Sequence, residues 1–212
     1  MIHRARLQIE QLQVGALQTN CYLVIADTGQ LLIVDPGDDA DYIMRRIADI
    51  KGEPTAIVAT HGHFDHLMAA YELQVNYGIH FLIHKKDEFL VRAMRESARH
   101  FLKVDAGPVP NIDNHLQDGD NITLGKTEMK VIETPGHTPG SVALWSKEAS
   151  MAFVGDLLFA QGAVGRTDFS YSSPKKLERS LQEILKLPPE TALFTGHGLA
   201  TTVSTERKHH KV

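Results

Sequence analysis

The chain has 212 residues, 42% of them hydrophobic, and a formal net charge of −4; that is enough for one well-buried domain and gives no electrostatic footprint for nucleic acid. No run approaches the ~18 apolar residues of a membrane helix, and Arg4, Arg6 and Glu10 interrupt any signal-peptide core, so a cytoplasmic protein without a membrane partner is expected. The single cysteine, Cys21, excludes an intrachain disulfide and a cysteine-rich zinc site, so any metal must rest on histidine and carboxylate.

In chain order, RLQIEQLQV (6–14), CYLVIA (21–26) and LLIVD (31–35) are alternating or continuous apolar runs separated by the turn signals TN and DTGQ, and predict successive antiparallel strands. From Asp38 the period changes. Ala40, Ile43, Ile47 and Ile50 share one helical face, with Asp38 as the expected N-cap and Gly52 as the stop. TAIVAT (55–60) predicts a buried strand, 66–77 a helix stopped by Gly78, IHFLIH (79–84) a strand, and 86–103 an amphipathic helix. After the loop DAGPVPNID come strands at 121–124, 127–133, 141–146 and 151–154, a helix from Pro174 to Leu187, a last strand TALFT and a short polar tail. Two rounds of strands and helices with no linker predict an α+β fold, a four-layer αββα sandwich formed as a single domain over 1–212.

Histidines and aspartates gather where strands give way to Gly- or Pro-bearing loops: His61, His63, Asp65 and His66 in HGHFDH, His137 in TPGHTPGS, Asp156 in VGDLLF and His197 in TGHGL. Side chains at i and i+2 of an extended segment point the same way, so His61 and His63 can converge on one cation while Asp65 and His66, entering the next helix, face a second. Imidazole and carboxylate suit zinc, iron or manganese. Lone histidines such as His3, His80 and His84 are read as surface or satisfied core residues. Asp35 in VDPGDD is read as a turn or cap aspartate, or as a group that orients a ligand histidine from behind. Four such residues bunched in one loop, with three matching sites downstream, are poorly explained by solubility or capping.

H-x-H-x-D-H followed by His137, Asp156 and His197 resembles the metallo-β-lactamase fold hydrolases over most of the chain. The resemblance implies one metal at His61, His63 and His137, a second at Asp65, His66 and His197, and Asp156 bridging both. TNCYLV, VDPG, TPGHTPGS, GDLLF and GRTDF are most similar to the glyoxalase II type, the hydroxyacylglutathione hydrolases and their short bacterial relatives. Those longer enzymes carry a C-terminal helical extension that grips glutathione, and this chain ends about where it would begin. With Cys21 far from the motifs, an antibiotic-hydrolysing role is not expected.

Two divalent transition-metal ions, with zinc expected and iron or manganese also suited, would share a water and lower its pKa enough for attack on a carbonyl. A thioester is an apt small-molecule substrate, because its thiolate leaves with little protonation; a 2-hydroxyacyl-glutathione is the type expected. Asp65 and Asp156 are the expected catalytic carboxylates. Arg166 in GAVGRTDF is expected to anchor an anionic substrate arm, against the alternative of an ion pair with Asp168. A persulfide dioxygenase of the same fold is the second reading, with one iron at His61, His137 and Asp156. A structural metal module is disfavoured, since seven donors exceed one closed four-ligand site.

Overall fold

Strand β2 (Thr19–Ile25) is apolar on both faces, and that decides how the layers stack. In the computed structural model, which describes residues 7–210, it lies between β1 (Gln8–Val14) and β3 (Gln30–Val34) in a sheet completed by β4 (Glu53–Val58), β5 (His80–His84) and β6 (Asn114–Leu116). The first three pair antiparallel and the rest parallel. The second sheet contains β7 (Asn121–Leu124), β8 (Thr127–Glu133), β9 (Val142–Ser146), β10 (Met151–Gly155), β11 (Ala192–Thr195) and β12 (Thr201–Thr202), ordered from β12 back to β7. Its one parallel pair is β10–β11.

Alternation along β2 sends Tyr22 and Val24 into a core shared with Met129, Val131, Leu144 and Phe153 of the second sheet. Cys21 and Leu23 point the other way, onto helices α1 (Ala40–Asp49), α2 (Ala70–Tyr77) and α4 (Met94–Phe101) through Ile43, Ile47, Leu73 and Met94. On the far side, Ala143, Ala152 and Val154 meet Leu177, Leu181 and Ile184 of α5 (Pro174–Ile184) and Val203 of α6 (Val203–His210). Three apolar seams therefore separate four layers, the αββα sandwich expected from element order. Each large side chain fully buried in them stabilises the fold by about 1.5–3 kcal/mol, against about 0–1 kcal/mol for a surface ion pair.

The elements differ from the sequence expectation where local pattern competes with the layers. Asp39, not Asp38, occupies the cap position of α1; it has a left-handed backbone, and its side chain accepts from the Gly15 amide at 2.8 Å. The helix expected from 66 begins at Ala70, because residues 64–66 tighten into a 3-10 turn and the Met68 and Ala69 amides donate to Gly37 and Pro36 carbonyls. The helix expected over 86–103 is two, α3 (Glu88–Arg92) and α4, so that Leu90 lines a cleft while Val91, Met94 and Ala98 stay in the core. Strands β6 and β12 are too short for a period to register, and the expected polar tail forms α6, held by buried Val203 and Glu206. Arg6, expected at the start of the first strand, lies outside the described residues.

Candidate metal centre

The expected site residues all leave strands at one end of the sandwich. Asp35 follows β3, His61 and His63 follow β4, Asp65 and His66 occupy the 3-10 turn, His137 lies between β8 and β9, Asp156 follows β10, and His197 follows β11. The two sheets are joined at this end by hydrogen bonds from the Asn20 amide to the Gly196 carbonyl and from the Val142 amide to the Thr60 carbonyl, both 2.8 Å, and from the Tyr22 hydroxyl to the Thr195 carbonyl at 2.6 Å. Loops from both sheets are thereby held against each other. Gly196 belongs to this seam: a Cβ there would collide with the Asp156 carboxylate, so only glycine lets that carboxylate approach.

Two donor sets converge. His61, His63 and His137 present ring nitrogens to one point, and an Asp65 carboxylate oxygen and ring nitrogens of His66 and His197 meet at another, the donor atoms within each set lying within 4.8 Å of one another. His137 Nε2 is 2.8 Å from His63 Nδ1, and His197 Nε2 is 3.4 Å from Asp65 Oδ2. Asp156 reaches both sets, with Oδ2 3.5 Å from His137 Nε2 and Oδ1 3.6 Å from His66 Nε2. The fold thus brings together the residues that the resemblance groups into two sets.

Behind each imidazole stands a partner that fixes which nitrogen faces inward. Carbonyl and carboxylate oxygens only accept, so the Nδ1–H groups of His137, His197 and His66 donate to Arg166 O at 2.8 Å, Leu17 O at 3.1 Å and Asp35 Oδ2 at 3.1 Å. The Thr60 hydroxyl donates to Asp35 at 2.6 Å, leaving its oxygen to accept from His61 Nδ1 at 3.1 Å. His63 is turned the other way, its Nε2 2.9 Å from the Tyr171 hydroxyl and its Nδ1 inward. In their neutral forms His61, His66, His137 and His197 thus present a lone pair inward, while the Tyr171 hydroxyl, which can donate or accept, orients the His63 ring. Among the described residues His61 Nε2, His66 Nε2 and Asp156 Oδ1 are buried without a hydrogen-bond partner, at a cost of roughly 1–3 kcal/mol for each such group. A divalent cation removes that cost, so the donor set fits one.

Charge distribution agrees with this fit. Burial, aided by neighbouring imidazoles, drives His61 far below its ordinary range and His63 to about 3, leaving both neutral at pH 7. Burial alone would raise the Asp65 carboxyl, yet His66 and His197 hold it below the usual carboxylate range. His66 is likewise opposed by burial and raised to about 10 by Asp65, Asp156 and Asp35. The carboxylates around His66 draw positive charge to this point, whether as a proton or as a metal ion.

The sequence profile of the metallo-beta-lactamase superfamily matches residues 14–197, spanning every one of these groups. The chain belongs to that superfamily. Within it, the hydroxyacylglutathione hydrolase GloC of Haemophilus influenzae is 34% identical over 210 residues, covering 95% of this chain and 96% of the relative. The crystal structure of TTHA1623 in a di-iron-bound form has a TM-score of 0.86 at 34% identity, covering 94% of this chain and 98% of that one. BLEG-1, described as a B3 metallo-beta-lactamase, has a TM-score of 0.89 at 31% identity and covers 96% and 98%. ETHE1 from Myxococcus xanthus, at 24% identity and a TM-score of 0.78, covering 96% and 83%, shares the fold. Members of the superfamily are metal-dependent enzymes, mostly hydrolases, which agrees with the donor sets found here.

Over this superfamily centre opens a cleft of about 410 Å³. Arg166 lines it, but its Nε and Nη2 each donate to an Asp168 carboxylate oxygen at 2.6 Å, and the guanidinium lies 4.4 Å from the Phe169 ring centroid. Arg166 therefore stands on the cleft wall and forms the ion pair with Asp168. Sequence reasoning missed Tyr171, Thr60 and Asp87. Buried Asp87 accepts from the Gly62 amide at 2.8 Å, the Gly140 amide at 2.6 Å and the Thr138 hydroxyl at 2.6 Å, tying the HGH loop to the loop that carries His137. Tyr171 follows GRTDF closely enough to have been noticed; nothing near Asp87 in the chain points to its role.

Proposed function

We propose that the chain is a binuclear metal-dependent thioester hydrolase of the hydroxyacylglutathione hydrolase type. His61, His63 and His137 would hold one divalent transition-metal ion, Asp65, His66 and His197 a second, and Asp156 would span both. One observation carries this reading: two donor sets share a carboxylate, and each imidazole is oriented from behind with one nitrogen aimed at its own set. When bound, such ions lower the pKa of a water towards neutrality and polarise a carbonyl. Asp65 lines the cleft, so its carboxylate is placed to orient the attacking water and take its proton. Attack forms the acyl C–O bond, the C–S bond breaks, and the thiol leaves as its thiolate. Zinc is the metal we favour; the nitrogen and oxygen donors also accept iron or manganese. A lone, buried cysteine suits the cytoplasm, and the net charge of −4 gives nucleic acid no footing.

The test is anaerobic thiol release from lactoyl-glutathione by metal-loaded protein, with elemental analysis for two ions per chain. Hydrolysis needs no oxygen, so release should persist without air and stop after chelation. Oxygen uptake with glutathione persulfide, dependent on a single iron and without thioester cleavage, would instead establish the dioxygenase reading. Ring opening of a β-lactam faster than cleavage of any thioester would move the chain towards the activity in BLEG-1's name.

A further inference from the structure

Beyond the histidines and carboxylates of its floor, the cleft is walled mostly by carbon. Two aromatic pairs line it, Phe64 parallel to Phe101 with centroids 5.9 Å apart and Phe169 parallel to Tyr171 at 5.2 Å. Phe101 is 52% exposed and Leu17 43%, so part of this apolar surface faces the opening and not the core. Among the described residues that line the cleft, Arg166 is the one lysine or arginine, and Asp168 already occupies two of its donors. An anionic arm entering here would have to displace or share with Asp168, and along Phe64, Phe101 and Phe169 would be desolvated against rings that offer it no hydrogen bond. An uncharged apolar arm loses nothing at Arg166 and gains from every ring it covers.

We propose that the cleft selects thioesters with uncharged apolar arms, an aliphatic or aryl acyl group on a neutral thiol, over the carboxylate-bearing thioesters of glutathione. This rests on the thioester-hydrolase reading and narrows its substrate class. Water adds to the acyl carbon and the C–S bond breaks, giving the carboxylic acid and a neutral thiol.

Binding is measured first, by calorimetry on the metal-loaded full chain with thioethers that cannot be cleaved. S-hexyl-N-acetylcysteamine should bind at least about ten-fold tighter than its S-methyl counterpart, since each buried methylene contributes, and tighter than S-hexylglutathione. Phe101→Lys, a change at a half-exposed ring and not in the core, should weaken the neutral hexyl ligand by about ten-fold. Asp168→Asn should free Arg166 and strengthen only S-hexylglutathione. Equal affinity for hexyl and methyl ligands overturns the proposal. So does tighter binding of S-hexylglutathione that is abolished by Arg166→Ala, a result that would make Arg166 an anion anchor. Turnover of hexanoyl-N-acetylcysteamine and lactoyl-glutathione then separates the two levels. Preference for lactoyl-glutathione sinks the selectivity alone, whereas tight hexyl binding with cleavage of neither thioester sinks the hydrolase reading and leaves the ligand class standing.

Discussion

Asp35 shows how much a single side chain contributes from behind the candidate metal centre. It has a left-handed backbone, φ 51°, is almost fully buried, and accepts from the Thr60 amide, the Thr60 hydroxyl and His66 Nδ1. Asparagine keeps the shape but turns one acceptor into a donor that faces another donor. Asp35→Asn should therefore lower metal affinity by about 10–100-fold with secondary structure unchanged, read by chelator competition and circular dichroism; unchanged affinity would remove Asp35 from the site. Asp168 offers an independent check at the same scale. The hydrogen bond from Arg166 brings its carboxyl down to about 2, and in Arg166→Ala it should return to about 3.9, followed by NMR titration of side-chain carboxyls. The depressed folded value means that the pair's contribution is present above the unfolded pKa and is lost as pH falls through about 2. Since both side chains are more than half exposed, little global stability should change with it. An unmoved Asp168 titration would mean that the pair does not form in solution.

Elements place what residues perfect. The two loops that carry His61, His63 and His137 come from different sheets, and Asp87, in the turn before α3, spans them through the Gly62 and Gly140 amides and the Thr138 hydroxyl. Burial raises this carboxyl above its ordinary range while those three bonds pull it back. Removing it strands the Gly62 and Gly140 amides in the interior, while the Thr138 hydroxyl keeps Ser141 as a partner at 2.7 Å. Asp87→Ala should cost about 3 kcal/mol of stability and loosen the three-histidine set together with it, measured as a lower denaturation midpoint and a weaker metal competition curve. If stability falls while metal affinity is untouched, Asp87 supports the fold but not the site. The break between α3 and α4 acts at the same level. Across it Leu90 lines the cleft while Val91 and Met94 stay in the core.

At the scale of the whole molecule the candidate centre is a clasp between the sheets, while the three apolar seams hold the layers without it. Chelation should therefore leave secondary structure intact and lower the melting temperature by about 10 °C, since binding at about 1,000 times Kd is worth about 4 kcal/mol. Calorimetry with and without chelator checks this; an unchanged melting temperature after proven metal removal would mean that the clasp carries no folding energy. The αββα order and the donor positions were legible in the chain itself, because strand and helix periods are local and HGHFDH packs its chemistry into one loop. His137, Asp156 and His197 were legible through their strand-end glycine motifs. What the chain could not show is contact between distant segments. Asp87 across two loops and Tyr171 on His63 depend on side-chain direction and on which loops the sheets bring together, whereas Asp35 behind a histidine and the Arg166–Asp168 pair were legible as alternatives. Sequence determined the candidate donors and the layers; tertiary packing alone decided which ring nitrogen each histidine turns inward and which loops Asp87 ties together, because both depend on partners that only the folded layers bring within hydrogen-bond reach.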